Sequence, residues 1–210
     1  MAKKGTIVID AGHGGTAEVG GSSHNNARSP SGVLEKNLTL RMAFLVRDAL
    51  AEAATIGGHT IKILLTRETD KNVGLRDSAL VAKNNSADLF LCIHFNASIK
   101  HNARGVETLI SPKAGNANHA ADKAFAQLIQ TATFNAIKAH DPGTKDRKVK
   151  DQSLFVLRDA NLGLKARGCL VEIEFLDHKA VDELFNLSPT SPQMRSDVAK
   201  AIANALIAAL

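Results

Sequence analysis

Two histidines and three glutamates hold most of the chemistry this sequence can offer. His13 follows the run TIVID in TIVIDAGHGG, where four apolar or β-branched residues lead into Asp10 and the imidazole then sits among three glycines. His94 lies in LCIHFNAS, which reads as a strand leaving into a loop at Asn96, Ala97 and Ser98. Glu35 opens a helical pattern, so its carboxylate returns to the edge where both strands end if the preceding loop folds over it. Two imidazoles and one carboxylate, with a fourth position left for water, make a recognised catalytic zinc set. The separations of 22 and 59 positions obey no local spacing rule. Each residue also has an ordinary reading. A histidine at a strand end is commonly a hydrogen-bonded structural residue, and a glutamate at a helix start is favoured by the helix dipole alone.

The other two acids, Glu172 and Glu174, alternate with Val171, Ile173 and Phe175 in LVEIEFL. A period of two puts both carboxylates on one strand face and the apolar residues on the other. Burying two acids there is costly without partners. A bound cation, a metal-activated water or a nearby arginine would resolve the cost, as would an edge strand with a wet face. The glycines of AGHGG invite a phosphate-loop reading, which the rest of the sequence excludes. A dinucleotide fingerprint opens a helix within about one turn, whereas here a loop of some twenty residues intervenes, and no lysine followed by serine or threonine completes a P-loop.

The elements that must position these residues alternate along the whole chain. Strand signals fall at 6–10, 61–65, 89–95, 105–110, 154–157 and 169–175. Helical periodicity covers 35–54, where Leu38, Met42, Leu45, Val46, Ala49 and Leu50 recur before Gly57 and Gly58, and it returns at 75–84, 118–139 and 178–187. A last helix starts near Pro192, with Ser191 as its expected cap. The pattern predicts an α/β fold: a single domain over 1–210, with a twisted, mainly parallel sheet of about six strands and helices on both faces. No internal repeat or linker interrupts it. Two long loops stand out, 14–34 and 139–153, and the first begins at the carboxyl edge where open α/β sheets bind ligands. The charged clump Lys145, Asp146, Arg147, Lys148 and Lys150 reads as solvated loop.

Composition narrows the partners. A net charge of +5 favours encounter with polyanions, among them an acidic cell-wall polymer. With eight phenylalanines and neither tryptophan nor tyrosine, a stacking platform for single-stranded nucleic acid is not expected. Cys92 and Cys169 each fall within an apolar run and are expected as buried free thiols. The start MAKKGTIVID carries no apolar signal core, so the expectation is a protein made without its own secretion signal, and the tail AIANALIAAL is too short to span a bilayer.

Seven segments occur in a telling order: IVIDAGHGG, GVLEKNLTL, LLTRETD, ADLFLCIHFNAS, GVETLI, SLFVLRDA and LVEIEFLDH. Over roughly residues 5 to 187 the chain resembles the zinc-dependent N-acetylmuramoyl-L-alanine amidases of the type 3 family, which cut peptidoglycan between glycan and stem peptide. The resemblance implies one Zn2+ per chain bound by His13, Glu35 and His94, with Glu172 on the family's catalytic glutamate. Hydrolysis would proceed through zinc-activated water, with no covalent intermediate. Glu174 falls where the family usually has glycine and leaves a second acid near the site, without an assigned role. His178 replaces a common asparagine, Ser78 a common arginine, and the loop from His13 to Glu35 is longer than usual. A different zinc amidohydrolase or peptidase acting on soluble muropeptides or small amides is the alternative, and a noncatalytic cell-wall binding module is a second. The implied place of action is the cell wall, in periplasm or outside the cell, after signal-independent release or as part of a longer exported protein. The oligomeric state is left unassigned.

Overall fold

The computed structural model describes all 210 residues. Six strands form one sheet: β1 (Lys4–Ala11), β2 (Thr60–Leu65), β3 (Leu89–Asn96), β4 (Val106–Ile110), β5 (Asp146–Asp151) and β6 (Arg167–Phe175). Their spatial order is β2-β1-β3-β6-β4-β5, and every neighbouring pair is parallel except β4 with β6. The helices are α1 (Glu35–Ile56), α2 (Leu75–Asn84), α3 (His119–His140), α4 (Asp159–Leu162), α5 (Lys179–Asp182) and α6 (Ser191–Ala209). The expected mainly parallel α/β sheet is therefore present. No helix is long and apolar enough to cross a membrane.

Alternation along the central strands divides the interior in two. Ile7 and Ile9 of β1, Leu89, Leu91 and Ile93 of β3, and Cys169, Val171 and Ile173 of β6 belong to the larger core, together with the buried faces of α1, α3 and α6. Residues of opposite parity, Val8, Phe90, Cys92 and Leu170, form a smaller core with Ala79 and Ala82 of α2 and with Val156, Leu157 and Leu162. Each strand is buried on both sides, so it reads as a continuous apolar run and not as an alternation. Fully burying such a side chain contributes about 1.5–3 kcal/mol. The smaller core matters for function, because its two strand columns continue into His94 on β3 and Glu172 on β6.

Local expectations are corrected or refined at four places. Residues 154–157 do not form a strand: Phe155–Leu157 is a single 3-10 turn, with Val156 and Leu157 buried in the smaller core. A short apolar run cannot distinguish these states by pattern alone. The charged clump is not only loop, since Asp146–Asp151 pairs with β4 as the sheet's edge strand. Edge strands tolerate lysines and arginines, which also discourage edge-to-edge association. Finally, Thr190 and not Ser191 occupies the cap position of α6, with no side-chain cap bond, and the helical signal at 178–187 resolves into α5 followed by a π turn at Glu183–Leu187.

Candidate metal centre and active site

β1 ends at Ala11, and the chain turns at once. His13 holds a positive φ of 65°, a conformation few non-glycine residues adopt, and such strain clusters at functional sites. Gly12 must be bare for a packing reason, because a Cβ there would lie 2.3 Å from the His94 ring. Gly14 is bare for both reasons, since its φ is 140° and a Cβ would meet the Lys71 carbonyl at 2.2 Å. Gly12 thus lets the end of β1 and the His94 ring approach each other, and Gly14 does the same for the Lys71 backbone. The two imidazoles meet edge to face, with centroids 4.8 Å apart.

Glu35 enters from the first turn of α1 and is completely buried. Its Oε1 lies 3.2 Å from His13 Nε2 and 3.1 Å from His94 Nδ1. The Phe95 N–H donates to Oε1 at 3.0 Å, and the Ala27 N–H donates to Oε2 at 2.8 Å. Burial opposes a charge on this carboxyl, but the two imidazoles outweigh it and hold its pKa at about 2. On His13 burial likewise disfavours the charge, and Glu35 with the Ser23 carbonyl raises the pKa above its ordinary value. One ligand atom from each of His13, Glu35 and His94 lies within 4.8 Å of the others, so the three could hold a metal ion together.

The donor set fits such an ion on structural grounds. His13 Nδ1 contacts the Ser23 carbonyl at 3.0 Å and the Ser23 hydroxyl at 2.9 Å. Holding one ring nitrogen this way aims the other at the centre, as outer partners of metal-bound histidines do. His13 Nε2 is buried and makes no hydrogen bond, its approach to Glu35 being close in distance only. A buried nitrogen lacking a partner is costly unless something else accepts its lone pair.

Glu172 lies opposite His94 in the β3–β6 register. Its Oε2 is sealed from solvent and has no partner. Burial, then the negative charges of Glu35 and Glu107, push its pKa well up. A cavity of about 180 Å³ opens beside His13 and His94, lined also by Cys92 and Ser23 and walled by Leu75 and Phe155.

Residues 7–208 match the N-acetylmuramoyl-L-alanine amidase family. The chain belongs to that family. Among solved structures, it is 25% identical to the N-acetylmuramoyl-L-alanine amidase from Clostridium difficile 630, with a TM-score of 0.77 over 99% of this chain and 96% of that one. The catalytic domain of CwlV, an N-acetylmuramoyl-L-alanine amidase from Bacillus (Paenibacillus) polymyxa var. colistinus, is 27% identical, with a TM-score of 0.70 and 96% of both chains covered. The endolysin of Bacillus phage SPP1 is 28% identical over 82% of this chain and 55% of its own length. A sporulation-specific N-acetylmuramoyl-L-alanine amidase of Bacillus subtilis is 32% identical over 66% of this chain and 47% of its own. The chain thus spans about half the length of these two relatives.

Within this amidase-family chain, Glu174 departs from the period-two expectation. Between the pairs His94–Glu172 and Asn96–Phe175, one residue of β3, Phe95, opposes two of β6, Ile173 and Glu174. This bulge breaks the alternation, so Glu174 does not share the surroundings of Glu172. Its Oε1 accepts from Arg104 and from Thr144, and its Oε2 from the Gly105 and Phe175 N–H groups. Arg104 in turn binds Asp141 beyond the end of α3. Glu174 is a buried anchor for the start of β4, outside the ligand cluster.

Sequence reasoning passed over two positioning residues. Arg67, within LLTRETD, donates to the carbonyls of Ala11, Gly12 and Lys36, tying the end of β1 to the first turn of α1. Ser23 holds His13. Arg67 acts on backbone carbonyls far along the chain, and Ser23 acts from inside a polar loop, so neither leaves a spacing signal. The segment LLTRETD itself was the only clue to the first.

Proposed function

We propose that this chain hydrolyses the amide between N-acetylmuramic acid and the L-alanine of the peptidoglycan stem peptide, with residues 1–210 working as one catalytic domain on the cell wall. His13, Glu35 and His94 would hold one Zn2+, a metal that two imidazoles and a carboxylate suit. When bound, that ion supplies Lewis acidity for the amide carbonyl, acidifies water, and adds a positive charge that opposes Glu35 and Glu107 around Glu172. Ser23 and Arg67 keep the three ligand side chains aimed. Glu172 takes a proton from the attacking water at its carboxylate and returns it to the departing alanine amine. Its burial favours the protonated form, which is the form that must donate in the second half.

The single observation behind this reading is the solvent-sealed, unpartnered Glu172 Oε2 standing across the strand pair from His94. A noncatalytic wall-binding module has no use for such an acid, whose burial costs stability. The test uses purified peptidoglycan and zinc-loaded protein. The intact chain is expected to release new alanine amino termini without new reducing sugars, and Glu172→Gln is expected to keep its zinc while losing about 100-fold or more of the rate. Release of reducing sugars alone, or an undiminished Glu172→Gln rate, contradicts the proposal. If soluble muropeptides are cut while intact peptidoglycan is not, the alternative zinc amidohydrolase takes its place.

A further inference from the structure

The charged clump on β5 sets two cations on Glu107. Arg147 Nε donates to Glu107 Oε2 at 3.0 Å, and Lys150 Nζ donates to the same oxygen. Residues three apart on a regular strand face opposite ways. Here a register shift opposes Val106–Thr108 to Asp146–Val149, with Lys148 at a φ of 71°, and the extra residue brings Arg147 and Lys150 to one face. Glu107 itself stands directly opposite Glu172 in the antiparallel β4–β6 pair and accepts from Asn96 through its other oxygen.

Two cations on one carboxylate leave a surplus positive charge. Arg147 is fixed twice, by Glu107 and by stacking on the Phe175 ring, 4.9 Å from guanidinium carbon to centroid. Its two terminal nitrogens make no hydrogen bond in the protein, and its side chain is 35% exposed, that of Lys150 44%. A guanidinium held by one edge, with its outer fork unspent, is preorganised for a second carboxylate. β5 lies two strand spacings from Glu172, about 10 Å. An extended peptide advances about 3.3–3.6 Å per residue. A carboxylate carried two or three residues beyond the scissile amide therefore reaches this fork.

We propose that Arg147, assisted by Lys150, forms a subsite for a free carboxylate on the peptide side of the substrate, so that the chain prefers acidic stem peptides over amidated ones. The subsite rests on the amidase reading and orients the substrate within it: the peptide runs over β4 and β5, away from the cavity beside His13. Glu107 neutralises part of the charge and holds Arg147 in place.

The test compares two soluble N-acetylmuramoyl dipeptides that share L-alanine and differ only in whether the second residue's carboxylate is free or an amide. The zinc-loaded full chain is expected to favour the free acid about 10- to 100-fold in kcat/KM, carried mainly by KM. In Arg147→Gln that ratio is expected to fall close to one, and in Lys150→Gln to fall part of the way. Lys148→Gln, which alters a neighbouring cation bound to Asp146, is expected to keep the wild-type ratio. A purely structural role for Arg147 would slow both substrates alike and preserve the ratio, which overturns the subsite. Equal wild-type cleavage of both also overturns it and leaves the amidase reading standing. Cleavage of neither dipeptide while peptidoglycan is still cut overturns the subsite alone, and failure to cut peptidoglycan as well removes the amidase reading and the subsite with it.

Discussion

Glu172 and Glu174 are two positions apart on one strand and do different work, and a single bulge separates them. Glu174 is fully buried and ion-paired with Arg104. Removing Glu174 leaves Arg104 with Asp141 alone and strands the donors of Gly105 and Thr144, at a cost of about 3–5 kcal/mol. Glu174→Ala is therefore expected to lower Tm by roughly 10 °C while the folded protein keeps its zinc and its rate. Loss of activity without loss of stability would return Glu174 to the chemistry. Gly12→Ala carries the opposite signature. Its Cβ collides with the His94 ring, so zinc affinity is expected to fall by more than about tenfold, read by competition with a chromogenic chelator. At this scale the sequence was legible where residue type alone speaks: His13, Glu35 and His94 do converge. The bulge at Glu174 was not legible, because the alternating pattern LVEIEFL continues unbroken through it.

Elements set the distances among these residues, and most were readable from periodicity. α1, α2 and α3 follow their apolar repeats closely, and β1, β3 and β6 their buried runs. β5 escaped notice because an edge strand rich in lysine and arginine reads as loop until its partner is known. The loop at 14–34 was legible as a loop, but not how it is ordered: polar bonds made far along the chain hold it, not apolar burial. Ser31 donates to Asp182 through both its N–H and its hydroxyl, Asn72 holds Ala17 and Ser22, and Asp70 receives Gly15 and Lys36. The Lys36 bond holds the Asp70 carboxyl below its usual range against burial. At Asp182 burial pushes the other way, but donors from Asn186, Ser31 and Ser29 outweigh it, and that pKa is also lowered. Depressed carboxylates contribute stability that is complete above the unfolded value near 3.9 and is lost as pH falls through the folded one. Hydrogen-exchange protection of 14–34 is therefore expected to drop as pH falls below about 4, ahead of α1 and β3. Equal loss across all three regions would contradict that ordering.

For the molecule as a whole, the parallel arrangement brings β1, β3 and β6 to one carboxyl edge, and α1 returns Glu35 to it. That convergence explains how residues at 13, 35, 94 and 172 come together with no local motif joining them. A metal bound there would also couple to stability. An ion that binds only the folded chain raises Tm, by an amount set by its free concentration relative to Kd, and the intact protein is expected to show this shift while His13→Ala does not. The central claim is that a metal held by His13, Glu35 and His94 carries an amidase reaction. Its most direct test is turbidity loss of a peptidoglycan suspension before chelation, after chelation, and after stoichiometric Zn2+ is restored. Clearing, then none, then clearing again is expected, with one zinc per chain recovered. Clearing that persists in the metal-free protein would contradict it.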